Sequence, residues 1–104
     1  MAYDYDVHYE HRRPSRKEIE AALRGYLGTA ATVEWKTDRF FVSFDSKPSN
    51  PFSAPRRDDD RWFEVWLGTK LVSCITRMQD EFVHAVTLGF CKAVARRWKG
   101  VLSE

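Results

Sequence analysis

The stretch Trp62-Phe63-Glu64-Val65-Trp66-Leu67-Gly68-Thr69-Lys70-Leu71-Val72-Ser73-Cys74-Ile75-Thr76-Arg77 constrains the fold more than any other. Aromatic and β-branched residues flank Gly68-Thr69, which reads as two strands joined in a hairpin. Glycine first in a two-residue loop suits a type II′ turn, where φ is positive. That turn sets Leu67 opposite Lys70, Val65 opposite Val72 and Phe63 opposite Cys74 on one face. It sets Trp66 opposite Leu71, Glu64 opposite Ser73 and Trp62 opposite Ile75 on the other. Both faces are largely apolar. One must cover a core. The other, with two tryptophans, needs a cover or a partner.

The rest of the chain supplies elements for that core. Residues 3–10 alternate strictly, with Tyr3, Tyr5, Val7 and Tyr9 on one side and Asp4, Asp6, His8 and Glu10 on the other. This is the pattern of a half-buried strand with a solvated acidic side. Ser15 and Glu18 then form a capping box, and Ile19, Ala22, Leu23, Tyr26 and Leu27 make one helical stripe that Gly28 stops. A second hairpin joins residues 32–36 to residues 39–45, turning at Thr37-Asp38, a pair that suits a longer loop better than a two-residue one. Its register puts Val33, Trp35, Phe40, Val42 and Phe44 on one face and Phe41 on the other. Residues 46–60 hold three prolines and no periodicity, the signature of a long loop. After the central hairpin, Thr76 with Gln79, or Asp80 alone, caps a last helix. Its apolar stripe is Phe82, Val83, Val86, Phe90, Ala93, Val94 and Trp98, widened by Leu88, Cys91 and Ala95. Gly89 inside it costs about 1 kcal/mol against alanine unless a close contact uses the missing side chain. Gly100 ends the helix.

The order β-α-β-β-β-β-α predicts an α+β fold, an antiparallel sheet of about five strands with two helices packed on one face. At 104 residues the chain reads as one domain, 1–104. Only 43% of residues are hydrophobic, but 14% are aromatic, and each ring buries a large area. The formal net charge of +2 is too small to argue by itself for a nucleic-acid binder. Cys74 and Cys91 read as buried thiols, although a bridge between the hairpin and the last helix is geometrically open. The first thirty residues carry no apolar leader, and no run reaches the roughly 18 apolar residues of a membrane span. A soluble, cytoplasmic protein is expected.

The first candidate site is the outer face of the sheet. Trp62, Trp66, Leu71, Ile75 and Phe41 share it, with Phe52 of the 46–60 loop as a further contact or as its cover. A contiguous aromatic patch is the usual mark of a protein partner or of a homodimer. The run Arg56-Arg57-Asp58-Asp59-Asp60-Arg61 reads as a solvated loop that would border that patch. The second candidate is the cluster Arg12, Arg13, Arg16 and Lys17, which would suit an anion at a helix N-terminus. With Arg96, Arg97 and Lys99 it could hold a nucleic-acid backbone. No metal or cofactor site is expected, because His8 and His11 point to opposite sides of a strand and no nucleotide-binding or zinc motif occurs. His84 and Cys91 are the weak elements of an alternative reading, a small enzyme with a pocket between helix and sheet. The leading expectation is a non-enzymatic interaction domain of the inhibitor, immunity or accessory type.

Overall fold

A computed structural model describes residues 2–29, 31–44, 62–77 and 81–103. Its elements run β1 (Ala2–His8), α1 (Arg16–Leu27), β2 (Ala31–Lys36), β3 (Arg39–Phe44), β4 (Trp62–Leu67), β5 (Leu71–Arg77), α2 (Glu81–Arg97) and β6 (Val101–Ser103). The described strands form one six-stranded antiparallel sheet in the order β2-β3-β4-β5-β1-β6. The fold is α+β, as the alternation of patterns predicts, with one more strand than the periodicity reveals. That strand, β6, is three residues long and pairs only with Asp6–His8.

The sheet has two chemically different faces. Tyr5, Val7, Phe40, Val42, Phe44, Phe63, Val65, Val72, Cys74 and Thr76 point to the inner face and are all buried. They pack with Ile19, Leu23 and Leu27 of α1 and with Val83, Phe90, Cys91, Val94 and Ala95 of α2. Val33 and Trp35, on edge strand β2, lie half-buried against the same core. Tyr26 and Phe82 belong to the predicted helical stripes yet stay 47% and 53% exposed. Tyr26 leans on Phe90 with ring centroids 6.0 Å apart, and Phe82 meets Phe44 at 5.7 Å. Thr87 is buried in their place, its hydroxyl donating to the Val83 carbonyl one turn back at 2.7 Å.

Local chemistry explains the helix ends. Ser15 Oγ accepts from the Glu18 N–H at 3.2 Å, and Glu18 Oε1 accepts from the Ser15 N–H at 3.0 Å, which completes the capping box. Gly28 closes α1 at φ 60°, ψ −131°, a conformation reserved for glycine. At the end of α2 the residue in the left-handed region is Lys99, φ 55°, and the Gly100 N–H reaches back to the Ala95 carbonyl at 2.8 Å. Gly100 serves a second purpose. A Cβ there would lie 2.6 Å from Val7 and 2.7 Å from the Tyr9 ring, so its absence lets the chain cross onto β1. Gly89 is likewise filled from outside, since a Cβ would overlap the Tyr26 hydroxyl. The cap expected from Gln79 or Asp80 lies outside the described residues.

The two hairpins correct two expectations in opposite directions. Thr37-Asp38 does form a two-residue loop, with Lys36 opposite Arg39 and Thr37 at φ 31°. The central hairpin turns one residue later than expected, around Thr69-Lys70, so that Leu67 pairs with Val72, Val65 with Cys74 and Phe63 with Thr76. Gly68 does not take the positive φ of a type II′ turn. It donates to the Leu71 carbonyl at 2.7 Å, where a Cβ would stand 3.2 Å from that of Leu71. Contacts from the segment after β1 hold this turn. The Tyr9 N–H bonds the Lys70 carbonyl at 2.9 Å, and Arg13 Nε donates to the Gly68 carbonyl. The register has slipped by two residues, so every side chain keeps its predicted face.

Candidate functional site

Both helices lie on the inner face, which leaves the outer face as the second surface of a single-layer sheet. Trp62 and Trp66 of β4, Leu71 and Ile75 of β5 and Phe41 of β3 all stand there, each half-buried. The structure therefore brings together five of the six residues proposed for this surface. Phe52, the 46–60 loop and the charged run before Trp62 lie outside the described residues. Among the described residues, no helix or strand lies over this face.

Its layout follows from the strand register. One row crosses the whole sheet as Lys36, Arg39, Trp66, Ser73, Asp6 and Ser103, one residue per strand. The next row reads Glu34, Phe41, Glu64, Ile75 and Asp4. Phe41 and Trp62 stack with centroids 5.5 Å apart and planes 26° apart, which builds a flat aromatic step. Beside it the Arg39 guanidinium lies 4.4 Å over the Trp66 ring and makes an ion pair with Glu64. The Glu64 side chain is only 16% exposed, so Arg39 neutralises a carboxylate that is largely removed from water. The Trp66 indole N–H is buried and has no hydrogen-bond acceptor among the described residues. At the other end of the face, Ser73 Oγ donates to Asp6 at 2.6 Å and lies 3.3 Å from Asp4. No cation pairs with either aspartate among the described residues. On β2 and β3 the cations Lys36 and Arg39 are already paired, with Glu34 at 3.2 Å and with Asp38 and Glu64, so the face has a charge-balanced side there, an aromatic centre and an acidic side on β1.

The hairpin register already put Glu64 and Ser73 on this face, but Arg39, Asp4 and Asp6 were not assigned to it from sequence. The signal was present, because Arg39 shares strand parity with Phe41, and Asp4 and Asp6 were already placed on the solvated side of β1. What was absent from sequence was the order of strands, which sets β1 beside β5.

The basic cluster before α1 is arranged differently. Arg12 pairs with Glu18 at 3.3 Å. Arg13 donates to the carbonyls of Gly68 and Pro14, so it pins the central turn. The Arg16 guanidinium lies 4.5 Å over the Trp35 ring. Lys17 is exposed. The four cations therefore point to separate partners. The two ends proposed for nucleic acid do meet, since the Trp98 indole N–H donates to Glu18 Oε2 at 3.0 Å. This brings Arg97, which lies 4.7 Å over the Trp98 ring, to the Arg12 side of the molecule.

The groups named for an enzyme reading sit inside the packing. His84 Nε2 is hydrogen-bonded to the Tyr5 hydroxyl, and its ring contacts Tyr3 at 5.2 Å. Cys74 and Cys91 are free thiols, both fully buried. A groove of about 190 Å³ runs between α1 and α2, lined by Ala22, Gly25, Tyr26, Phe90, Val94 and Trp98 among others. Neither His84 nor Cys91 lines it. No helix among the described residues is long and apolar enough to cross a membrane.

Comparison with known proteins gives no relative: no family model, curated protein or solved structure matches this chain.

Proposed function

We propose that this protein is a non-enzymatic interaction domain that binds a protein partner through the outer face of its sheet, in the manner of inhibitors, immunity-type proteins and accessory subunits. Its working compartment in this reading is the cytoplasm. The observation that carries the proposal is the segregation of the two helices to one face, which leaves Phe41, Trp62, Trp66, Leu71 and Ile75 together on the other. Aromatic residues ringed by charge are the composition of binding hot spots. The half-buried state of these side chains fits a surface that reaches full burial only with a partner. The test is capture of partners by the wild-type chain beside Trp66→Ala and Trp62→Ala, each confirmed as folded by circular dichroism. A partner retained by the wild type and lost by both variants supports the reading. Equal retention by folded variants removes it.

One observation favours a second reading, binding of a nucleic-acid or phosphate backbone. The Glu18–Trp98 hydrogen bond joins the basic residues around the start of α1 to those around the end of α2 in one region. Binding there would weaken steeply with salt. Absence of any binding to single- or double-stranded nucleic acid at low salt would eliminate it.

A further inference from the structure

The groove between α1 and α2, on the side of the molecule away from the outer sheet face, is kept open by a glycine that the fold does not need, and we infer that it is a binding site for a small aromatic carboxylate. Glu18 meets Trp98 and Tyr26 meets Phe90, so the helices pass each other in opposite directions, and Trp98 and Tyr26 stand at the two ends of the groove. Gly25 lies within α1, a setting in which glycine is less favourable than alanine. Packing accounts for two other glycines of the helical layer: the Tyr26 hydroxyl fills the space beside Gly89, and Val7 and Tyr9 fill that beside Gly100. Gly25 has neither a neighbour within 4 Å of an added Cβ nor a positive φ. What its missing side chain leaves open is the groove that it lines. Ala21, one turn earlier, and Ala93, across on α2, are also exposed there and end at a methyl group. A helical side chain leans over the turn before it, so a longer side chain at position 25 would lie toward Ala21, along the groove.

The lining sets the chemistry of the ligand. The groove holds about 190 Å³. An apolar cavity of about 150 Å³ takes a benzene ring, so this one accommodates a single ring or two fused rings. Phe90 and Val94 form a buried apolar floor, and Tyr26 and Trp98 offer ring surfaces at the ends. Among the described lining residues Arg97 alone is charged. Its guanidinium lies 4.7 Å over the Trp98 ring, and no carboxylate among the described residues pairs with it. Glu18 stands at this end, but its carboxylate is taken by Arg12, the Ser15 N–H and the Trp98 indole. Lys17, exposed one turn before Ala21, and the exposed Arg96 add positive charge. An apolar floor, aromatic ends and one unpaired guanidinium recognise a flat apolar body that ends in a carboxylate.

The test is titration of the full-length chain with naphthoate and with its neutral amide, naphthamide, followed by NMR at the Trp98 indole N–H and the Ala93 methyl. A ligand of this size, at a modest efficiency per atom, binds at about 1 mM or tighter. Naphthoate should shift both signals, and naphthamide should bind about fivefold more weakly. Arg97→Gln should remove that preference. Gly25→Leu fills the groove from α1 and should weaken naphthoate binding about tenfold or more, while the denaturant midpoint holds or rises. Ala93→Leu delivers the same block from α2 and covers the case in which Gly25→Leu fails to fold. Absence of shifts at about 10 mM naphthoate, or shifts confined to the outer sheet face, overturns the inference. So does undiminished binding by a folded blocked variant, or a preference for naphthoate that survives Arg97→Gln.

Discussion

The indole N–H of Trp98 donates to Glu18 Oε2 at 3.0 Å, so the residue that caps the start of α1 also holds the end of α2. Glu18 bonds Ser15 and Arg12 as well. Its carboxyl is held below the usual carboxylate range, first by the Ser15 backbone N–H, then by the Ser15 side chain and the Trp98 indole. A lowered folded-state pKa means that the stabilisation is complete above the usual carboxylate pKa. It is lost as pH falls through the lowered one. Acid should therefore loosen the junction between the helices before it unfolds the sheet. Trp98 fluorescence followed through the acid range checks this, and Glu18→Gln, which keeps a hydrogen-bonding amide, should flatten the response. Ser15→Ala should cost about 1 kcal/mol at neutral pH by denaturant unfolding.

Two glycines should respond to alanine with opposite sign. Gly25 is exposed on α1 with nothing within 4 Å of an added Cβ, so Gly25→Ala should stabilise by about 0.5–1 kcal/mol. At Gly100 a Cβ collides with Val7 and Tyr9, so Gly100→Ala should destabilise by about 1–3 kcal/mol. It should also raise hydrogen exchange at the β1–β6 pairing, because β6 is short. Denaturant midpoints with unchanged slopes would measure both effects.

Cys74 and Cys91 should be silent until the protein unfolds. Both are fully buried, and a hydrogen bond with the Cys91 thiol, followed by burial, pushes the Cys74 thiol well above its ordinary range. The reactive thiolate of Cys74 is therefore suppressed at neutral pH, and burial alone shields Cys91 from reagents. A thiol reagent should label neither residue in the native state and both in denaturant. Rapid native labelling of either would show that α2 opens away from β5.

Much of this fold was legible in the sequence because its signals are local. The capping box at Ser15 and Glu18 needs only four residues, and both hairpins announce their faces through period-2 alternation. The central register was not legible, because Tyr9 and Arg13, more than fifty residues earlier, hold the turn. The slip was even, so the membership of the outer face survived it. β6 escaped because three residues carry no periodicity, and its place depends on the gap at Gly100. The aromatic half of the candidate surface was readable from strand parity. Of its polar half only Glu64 and Ser73 were, because strand order alone brings Asp4 and Asp6 onto the same face as Arg39 and Trp66. The basic cluster shows the converse. Four cations close in sequence are sent to Glu18, Gly68, Trp35 and solvent by packing that spacing alone does not encode.

Phe63 and Trp66 belong to the same strand and point to opposite faces, so their alanine variants test the central claim most directly. Phe63 is fully buried in the core, and Phe63→Ala should cost about 3–5 kcal/mol. Trp66 is half-buried on the outer face, and Trp66→Ala should cost less than about 1.5 kcal/mol while abolishing partner capture by the folded protein. If Trp66→Ala unfolds the chain as Phe63→Ala does, or retains a partner as the wild type does, the outer face is not the binding surface.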